Sequence, residues 1–271
     1  MTGVDQPRTG VGPPSIGVGQ PRIGDAFGEV MRAALAEETG VGPRPTIGSR
    51  HPRPVIELVE RDDGFLQGAP AARYLAAPAD WLDFDRRAVD LARGRVLDIG
   101  VGAGRVALEL QRRGLAVTGL DISPGCVEVA RARGVRDLVC STVDDHTGRY
   151  DTFLLLGNNL GLLENRQRAP AFLAALAALA APGARIVGQG TDPYRSSDEV
   201  HLAYHEGNHR RGRLGGQLTV RIRYRNIATG WFDYLLCSPD ELATLLTGTA
   251  WRIETIDDAD APQYLAVLVK V

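Results

Sequence analysis

RVLDIGVGAG, residues 95–104, is the stretch that decides the fold of this chain. It starts as a short apolar strand, includes one carboxylate, Asp98, and ends with glycines at alternate positions, Gly100, Gly102 and Gly104. A glycine-rich turn between a strand and a helix allows a ligand to approach the backbone closely. The remaining residues are therefore interpreted as support or cover for a ligand that these glycines hold.

Apolar strands alternate with helices on both sides of this turn. Helices are predicted at residues 83–93, 105–113, 124–133 and 167–181. Strands are predicted at residues 95–99, 116–122, 136–143, 150–156 and 184–189. Strands that are separated by helices of this length pair in parallel, are covered on both faces, and bind ligands at their carboxyl ends.

Two more strands are predicted near the carboxyl terminus, at residues 251–257 and 263–271, after a helix that starts at Ser238. Only DADAP joins these strands, which is too short for a parallel crossover, so the last strand is expected to run antiparallel to its neighbour. The predicted fold is therefore α/β, a doubly wound, mostly parallel sheet of seven strands with an antiparallel last strand.

An insertion at residues 190–237 is longer than a connection between strand and helix needs, and we predict that it forms a β-rich lid. Its second half, QLTVRIRYRN followed by TGWFDYLLC, alternates like two antiparallel strands. Val220, Ile222 and Tyr224 share one face of this hairpin. The opposite face carries arginines and is interpreted as solvated rather than as a site for an acidic ligand.

The amino-terminal residues 1–54 are predicted to be a largely disordered extension, because their glycine and proline content is too high to bury an apolar core. One short helix is expected within it at residues 25–38, with Asp25 as the N-cap. Residues 55–271 are expected to form the folded domain. The extension is interpreted either as dispensable or as a docking arm for a partner.

The composition of the chain excludes several classes of protein. The 271 residues carry a net charge of −2 and 44% hydrophobic residues, which gives no general attraction for nucleic acid or a membrane surface. The cysteines are few and widely spaced, so neither a disulfide framework nor a thiolate metal site is expected. A cytoplasmic protein is the expectation, because no signal peptide or membrane span is recognised.

The glycine stretch distinguishes between possible ligands. A dinucleotide fingerprint needs a third glycine where this chain has Arg105, and a P-loop needs a lysine that is absent. Asp98 would repel a pyrophosphate but suits an ammonium group. S-adenosylmethionine carries an ammonium and a sulfonium and no phosphate, so it is the preferred ligand.

Further acids follow the next strands. Asp121 ends the second strand, where a carboxylate can accept hydrogen bonds from both ribose hydroxyls. Asp144 follows the third strand and is placed to accept a hydrogen bond from an adenine amino group, while Val143 packs on the ring. Acids at the ends of successive strands outline one adenosine-shaped site.

These motifs resemble those of class I S-adenosylmethionine-dependent methyltransferases. DIGVGAG resembles the first motif of that family, GLDIS the second, VDD the third and YDTFLLLGNNLGLL the fourth, over about residues 70–271. The GNNLGLL, TDPY, HLAYHE and WFDYLLCSPDEL segments are similar to a group of actinobacterial enzymes. The resemblance implies a Rossmann-like methyltransferase domain. The predicted cofactor-binding residues are Tyr74, Asp98, Gly100, Gly102, Gly104, Asp121, Ile122, Val143, Asp144 and Asn158.

The acceptor is expected near the end of the fourth strand and under the lid. His205 and Asp192 are the candidate catalytic bases, and the candidate substrate-binding residues are Trp81, Asn159, Tyr194 and His209. Asn158 is open to a second interpretation, as a turn residue in a left-handed conformation. The histidines at positions 201, 205 and 209 are spaced by four, but Gly207 is expected to interrupt the helix, so no metal is predicted.

The predicted function is methyl transfer to an oxygen or nitrogen of a small-molecule acceptor in specialised metabolism, without nucleic acid or membrane partners. Two alternatives are a catalytically silent binding or scaffold protein and a methyltransferase that acts on protein or RNA. The sequence leaves the formation of a homodimer open.

Overall fold

The structure is a computed structural model that describes residues 22–40, 54–259 and 261–271. Its α-helices are α1 (Ala26–Thr39), α2 (Asp83–Asp90), α3 (Arg105–Arg112), α4 (Pro124–Ala132), α5 (Ala169–Leu179), α6 (Glu199–Arg210) and α7 (Pro239–Leu246). Its strands are β1 (Arg22–Ile23), β2 (Ile56–Arg61), β3 (Leu66–Pro70), β4 (Arg95–Ile99), β5 (Ala116–Asp121), β6 (Asp137–Cys140), β7 (Tyr150–Leu155), β8 (Ala180–Thr191), β9 (Gln217–Tyr224), β10 (Ile227–Ala228), β11 (Phe232–Leu235), β12 (Trp251–Asp257) and β13 (Gln263–Lys270).

The main sheet contains seven strands in the order β12-β13-β8-β7-β4-β5-β6. Strands β4 to β8 pair in parallel, whereas β13 runs antiparallel to both β8 and β12. The predicted sheet and its antiparallel last strand are therefore confirmed. The strand order reverses beside β4, so the glycine turn lies at the switch point where α/β sheets bind ligands.

Apolar residues of the central strands alternate between the two faces of the main sheet. Leu97 and Phe153 belong to the core on one face, whereas Val96 and Leu154 belong to the core on the other. All four side chains are fully buried, as is typical of parallel strands that are covered on both faces. This rigid core holds the carboxyl ends of β4, β5 and β7 at one edge.

A second sheet covers that edge and is called the lid sheet here. Its strand order is β1-β10-β9-β2-β3. Strand β11 pairs with residues 217–220 at the start of β9. The predicted hairpin of β9 and β11 is present, and segments outside the insertion also contribute strands to the lid. Residues 55–81, which the sequence presents as irregular, supply β2 and β3, because an antiparallel hairpin there pairs with β9.

The arginine face of β9 also differs from its prediction as a solvated surface. Glu60 of β2 lies opposite Arg221, and its carboxylate accepts hydrogen bonds from Arg221 at 2.8 Å and from Arg223 at 3.1 Å. The Arg221 side chain is only 11% exposed. These arginines hold the lid sheet together, because β2 places a carboxylate between them.

Helix α6 continues through Gly207, so the prediction that this glycine interrupts the helix is wrong. Asp198 caps its first turn, and one glycine costs only about 1 kcal/mol in a helix, which tertiary packing offsets. The buried Asn208 amide donates to the carbonyl oxygens of Gly215 and Gln217, which fixes α6 against the start of β9.

Helix α1 is the described part of the amino-terminal extension. Asp25 caps it, and its buried residues Val30, Met31 and Ala34 pack against α4 and the 3-10 turn Ala71–Tyr74. The disorder expected for residues 1–21 and 41–53 lies outside the described residues.

Candidate functional site

The glycine turn forms the floor of the candidate site. Gly100, Gly102 and Gly104 have φ values of 73°, 54° and 80°, which is the left-handed region. At Gly100 a Cβ atom would lie 2.4 Å from the side-chain Nδ2 atom of Asn159, and the left-handed backbone would strain any other residue there. The turn is held in place by the Gly100 and Val101 amides, which both donate to the Leu120 carbonyl oxygen. The backbone is thus open to a ligand on one side and fixed on the other.

Asp98 lies directly before this turn and is only 4% exposed. Burial raises the pKa of its carboxyl to about 7; the positive charge of Arg105 opposes this shift and the carboxylate of Asp121 adds to it. Arg105 itself forms a bidentate ion pair with Asp85 at 2.9 and 3.0 Å. A cationic group bound at the turn would stabilise the ionised form of Asp98.

Asp121 connects the glycine turn to α4. Its carboxylate accepts a hydrogen bond at 2.9 Å from the Gly102 amide and another at 2.9 Å from the Ser123 amide. Burial raises the pKa of Asp121, and these amide donors oppose the shift. Each carboxylate oxygen retains a further lone pair, so the group can still accept hydrogen bonds from ribose hydroxyls.

The residues predicted to surround an adenine ring lie next to Asp121. Ile122 is 74% exposed although it is large and apolar, and Val143 is 8% exposed. Asp144 lies at the exposed rim, where its carboxylate is 3.9 Å from the Arg168 guanidinium. An apolar surface with an acid at its edge has the character that an adenine ring and its amino group require.

The turn after β7 forms the opposite wall. Asn158 has a left-handed backbone, with φ of 72°, and its side-chain oxygen accepts a hydrogen bond from Thr191. The buried Gln189 side chain accepts from the amides of Gly157 and Asn158. Asn159 donates to the carbonyl oxygen of Ile99, so this turn is fastened to the glycine turn. The left-handed interpretation of Asn158 is therefore correct, and its side chain is held by β8.

The lid sheet contributes a tyrosine to this wall. The Tyr234 hydroxyl donates to the Asn158 carbonyl oxygen at 2.7 Å and lies 3.2 Å from the Asn159 side-chain oxygen. Burial raises the pKa of Tyr234, and the nearby Tyr74 and Glu57 raise it further. The lid thus meets the domain where the acceptor is expected.

Glu57 of β2 is the most deeply buried acid of the lid, with 3% exposure. One of its oxygens accepts hydrogen bonds from Tyr74 at 2.8 Å and from Arg73 at 2.6 Å. Burial raises the pKa of Tyr74, and the charge of Glu57 adds to this shift. Arg133 donates to the carbonyl oxygens of Ala103 and Leu75, which joins the glycine turn to the residue that follows Tyr74.

The candidate bases of the insertion lie in a second cluster. His205 is 5% exposed, and its Nδ1 atom has no hydrogen-bond partner among the described residues. Burial, together with the neighbouring basic side chains, lowers the pKa of His205 to about 4. A neutral imidazole with so low a pKa is a weak base at neutral pH.

Asp192, Tyr194 and His209 lie close to His205. The Asp192 carboxylate caps the 3-10 turn Pro193–Arg195 by accepting from the Tyr194 amide. The Tyr194 hydroxyl donates to Glu241 at 2.5 Å, and its ring stacks on His209. Asp192, Tyr194 and His209 are therefore held by hydrogen bonds and ring stacking near the end of β8.

Trp81 is buried in the core and is not exposed at either group of residues. It is 4% exposed, belongs to the core under the main sheet, and donates its indole N–H to the Ala76 carbonyl oxygen. Arg105 lies over its ring at 5.1 Å. This burial leaves almost no surface with which Trp81 would touch an acceptor.

Three residues of the site are not among those predicted from the sequence: Asp25, Glu57 and Tyr234. A single acid within the apolar run VIELV was the only signal for Glu57. The sequence predicts Tyr234 within a strand of a hairpin, but it gives no sign of the turn after β7 that this hairpin contacts. Among the described residues, no cluster of three or more potential metal ligands is present, and no helix is both long and apolar enough to cross a membrane.

Comparison with known proteins gives the class of the domain. A family model described as a methyltransferase domain matches residues 96–183. A solved S-adenosylmethionine-dependent methyltransferase from Bacteroides fragilis, in complex with S-adenosyl-L-homocysteine, is 26% identical, with a TM-score of 0.73 over 93% of this chain and 99% of that one. Residues 96–183 thus match a methyltransferase domain, and the fold is that of S-adenosylmethionine-dependent methyltransferases. These comparisons support S-adenosylmethionine as the cofactor and an enzymatic role for the domain.

More distant relatives agree with this class. A methyltransferase structure from Methanosarcina mazei shares the fold, with a TM-score of 0.55 and 16% identity over 71% of this chain and 99% of that one. A ubiquinone biosynthesis O-methyltransferase from Xanthomonas oryzae pv. oryzae (strain PXO99A) is 32% identical over 114 residues, which are 39% of this chain and 46% of that protein. The chain thus matches about half the length of its curated relatives.

Proposed function

We propose that this protein transfers the methyl group of S-adenosylmethionine to an oxygen or nitrogen of a small molecule. The observation that carries this proposal is the contact of Tyr234 with the turn after β7, which closes the lid sheet over the glycine turn. A covered site of this kind favours a small acceptor over a folded protein or RNA. The O-methyltransferase relatives support the same class of acceptor.

The donor is proposed to bind along the carboxyl ends of β4, β5 and β7. Asp98 and the glycine turn would receive the methionine end, and Asp121 the ribose. Ile122 and Val143 would hold the adenine between apolar surfaces, with Asp144 at the rim. The exposure of Ile122 and the burial of Asp98 fit this cofactor, because an apolar platform and a buried carboxylate suit its ring and its ammonium group.

When bound, S-adenosylmethionine supplies an electrophilic methyl group on a sulfonium. The protein must then orient the acceptor in line, exclude water and remove a proton from the attacking atom. We assign the removal of this proton to Glu57, since its carboxylate is buried beside Tyr74 and Tyr234 and its second oxygen accepts no hydrogen bond from the described residues. Tyr74 and Tyr234 would orient the acceptor.

The segments that resemble actinobacterial methyltransferases support a role in specialised metabolism, which we include in the proposal. The inner face of the lid sheet carries Val59, Val220 and Ile222 between the polar groups at its ends, because residues alternate along paired strands. An acceptor with an apolar or aromatic body and one hydroxyl or amino group matches this surface.

Calorimetric titration with S-adenosylmethionine tests the donor half of the proposal. The wild type should bind with micromolar-range affinity, and Asp121→Ala should weaken binding by at least about tenfold, because two hydrogen bonds to a buried carboxylate position the glycine turn. Asp145→Ala is the matched control, since this exposed carboxylate bonds only to Thr142 in the described chain. Absence of binding by the folded wild type would refute the assignment.

The acceptor half is tested by the release of S-adenosylhomocysteine with a panel of phenols, catechols, primary amines and carboxylic acids. Turnover should be confined to one chemical class. A wild type that binds the donor but methylates only protein or RNA would overturn the small-molecule assignment, and one that binds the donor without any turnover would support a silent scaffold.

A further inference from the structure

The carboxylate of Asp25 joins the amino-terminal helix to the donor site. Its Oδ1 accepts from the Gly28 amide at 2.9 Å and from the Ser123 hydroxyl at 2.7 Å, and its Oδ2 accepts from the Gly125 amide at 2.9 Å. It therefore serves as the cap of α1 and also as a ligand for the amino terminus of α4. Asp25 can make both sets of contacts because it lies between the first turns of α1 and α4.

Ser123 extends this contact towards the cofactor site. Its hydroxyl also accepts from the Cys126 amide as the N-cap of α4, and its own amide donates to Asp121 at 2.9 Å. Asp121 in turn accepts from the Gly102 amide. A continuous chain of hydrogen bonds thus runs from Asp25 through Ser123 and Asp121 to the glycine turn.

The backbones of α1 and α4 meet at a pair of glycines. A Cβ atom on Gly28 would lie 2.7 Å from the Gly125 Cα, and one on Gly125 would lie 2.5 Å from the Gly28 Cα. Phe27, next to Gly28, packs edge-on against Tyr74 at 5.3 Å between ring centroids. This close approach is specific, because a side chain at either position would separate the helices.

We propose that Asp25 is a positioning residue of the donor site, and that α1 is a wall of that site rather than a dispensable extension. This proposal rests on the donor assignment above and deepens it. Asp25 holds Ser123 and the first turn of α4, which fixes the orientation of Asp121 and of the adjacent Ile122. Binding of the cofactor and docking of α1 are therefore coupled, and each strengthens the other.

Substitution of Asp25 separates this role from simple capping of α1. Serine and asparagine both cap helices well. Asp25→Ser keeps a capping oxygen but is too short to bridge to α4, and Asp25→Asn places an amide donor where Asp25 accepts. Both variants should raise the Kd for S-adenosylmethionine by at least about tenfold, which corresponds to the loss of one charge-assisted hydrogen bond.

Glu128→Gln is the matched control. Glu128 also connects α4 to α1, through Arg32 at 2.6 Å, but it lies on the exposed surface away from Asp121. This variant should keep the wild-type Kd within about twofold, as exposed ion pairs contribute little. Gly28→Ala is a second test, since its Cβ atom must push α1 away from α4, and it should also weaken binding of the cofactor.

Hydrogen exchange supplies a readout that a merely structural cap would not change. S-adenosylhomocysteine should slow exchange of the α1 amides in the wild type and in Glu128→Gln, but not in Asp25→Ser. The proposal is overturned if the folded Asp25→Ser and Asp25→Asn proteins bind S-adenosylmethionine as tightly as Glu128→Gln does. If the folded wild type itself binds none, the donor assignment fails instead.

Discussion

At the residue scale, the candidate site contains two carboxyl groups that are almost fully buried. Asp98 and Glu57 are 4% and 3% exposed. A buried carboxylate costs free energy unless a cation or hydrogen-bond donors stabilise it. Arg73 and Tyr74 stabilise Glu57, whereas burial raises the pKa of Asp98 to about 7, and a buried acid with a raised pKa is typical of a functional site.

Binding of the cofactor should depend on pH through Asp98. The pKa of this group is about 7 in the free protein, and a bound ammonium would lower it, so binding releases a proton near pH 6. Affinity should therefore rise between pH 5.5 and about 7, where the free carboxyl ionises. Calorimetry at pH 6 in buffers of different ionisation enthalpy measures the released proton.

Asp98→Asn provides the control for this pH dependence. It removes the titrating group while it retains nearly the same shape, so the rise in affinity below pH 7 should disappear. A wild-type protein that takes up a proton on binding, or none at all, would contradict the placement of the ammonium group beside Asp98.

Substitution of Glu57 tests its role in proton removal. Glu57→Gln should lower kcat by about a hundredfold, a typical effect of losing a general base, while the Kd for S-adenosylmethionine changes little. Glu60→Gln on the same strand is the matched control, since Glu60 points to the other face and pairs with Arg221 and Arg223. Equal kcat values for the two variants, measured with the acceptor that the panel identifies, would contradict this role.

At the element scale, the lid is assembled from segments that are far apart in the sequence. Strand β9 lies in the insertion, β2 precedes the main domain, and β1 lies next to α1. Helix α6 closes the end of this sheet, and Tyr204 donates to Asp62 at 2.7 Å. His201 of the same helix contacts Arg61 and Phe65 of the lid, and burial lowers the pKa of His205 to about 4, which makes it a weak base.

Deletion of α1 should reduce the stability of the whole domain. Val30 and Met31 are fully buried against α4 and the 3-10 turn, and each such side chain contributes about 1.5–3 kcal/mol to the free energy of unfolding. Removal of residues 1–40 should lower the Tm by about 10 °C, as measured by differential scanning calorimetry.

Removal of residues 1–21 is the control for this deletion. Their glycine and proline content predicts that they bury little apolar surface, so the Tm should stay within about 2 °C of the wild-type value. A similar fall in Tm for the two truncations would show that residues 1–21, and not α1, provide the stability.

At the scale of the whole molecule, the main sheet and the lid sheet divide the work of the proposed enzyme. In the proposed function, the main sheet would present the glycine turn, Asp98 and Asp121 to the donor, and the lid sheet would present Glu57 and Tyr234 to the acceptor. The Tyr234 hydroxyl joins the lid sheet to the turn after β7, next to the glycine turn.

The sequence by itself was sufficient to predict the main sheet and the residues proposed to bind the donor. Alternation of apolar strands with helices, the glycines of residues 95–104 and the carboxylates Asp98 and Asp121 are local features, and a parallel sheet brings the ends of its strands together at one edge. The short link before the last strand was sufficient to predict its antiparallel direction. These predictions needed no knowledge of contacts between distant segments.

Only the tertiary structure decided the lid, the acceptor side and the role of the amino-terminal helix. The pairing of β2 with β9 joins residues that are about 160 positions apart, and it converts a predicted solvated arginine face into an ion pair with Glu60. Asp25 reaches Ser123 across 98 positions. Such partners leave no periodic signal in either segment, because strand pairing and helix docking are selected by burial in the complete fold.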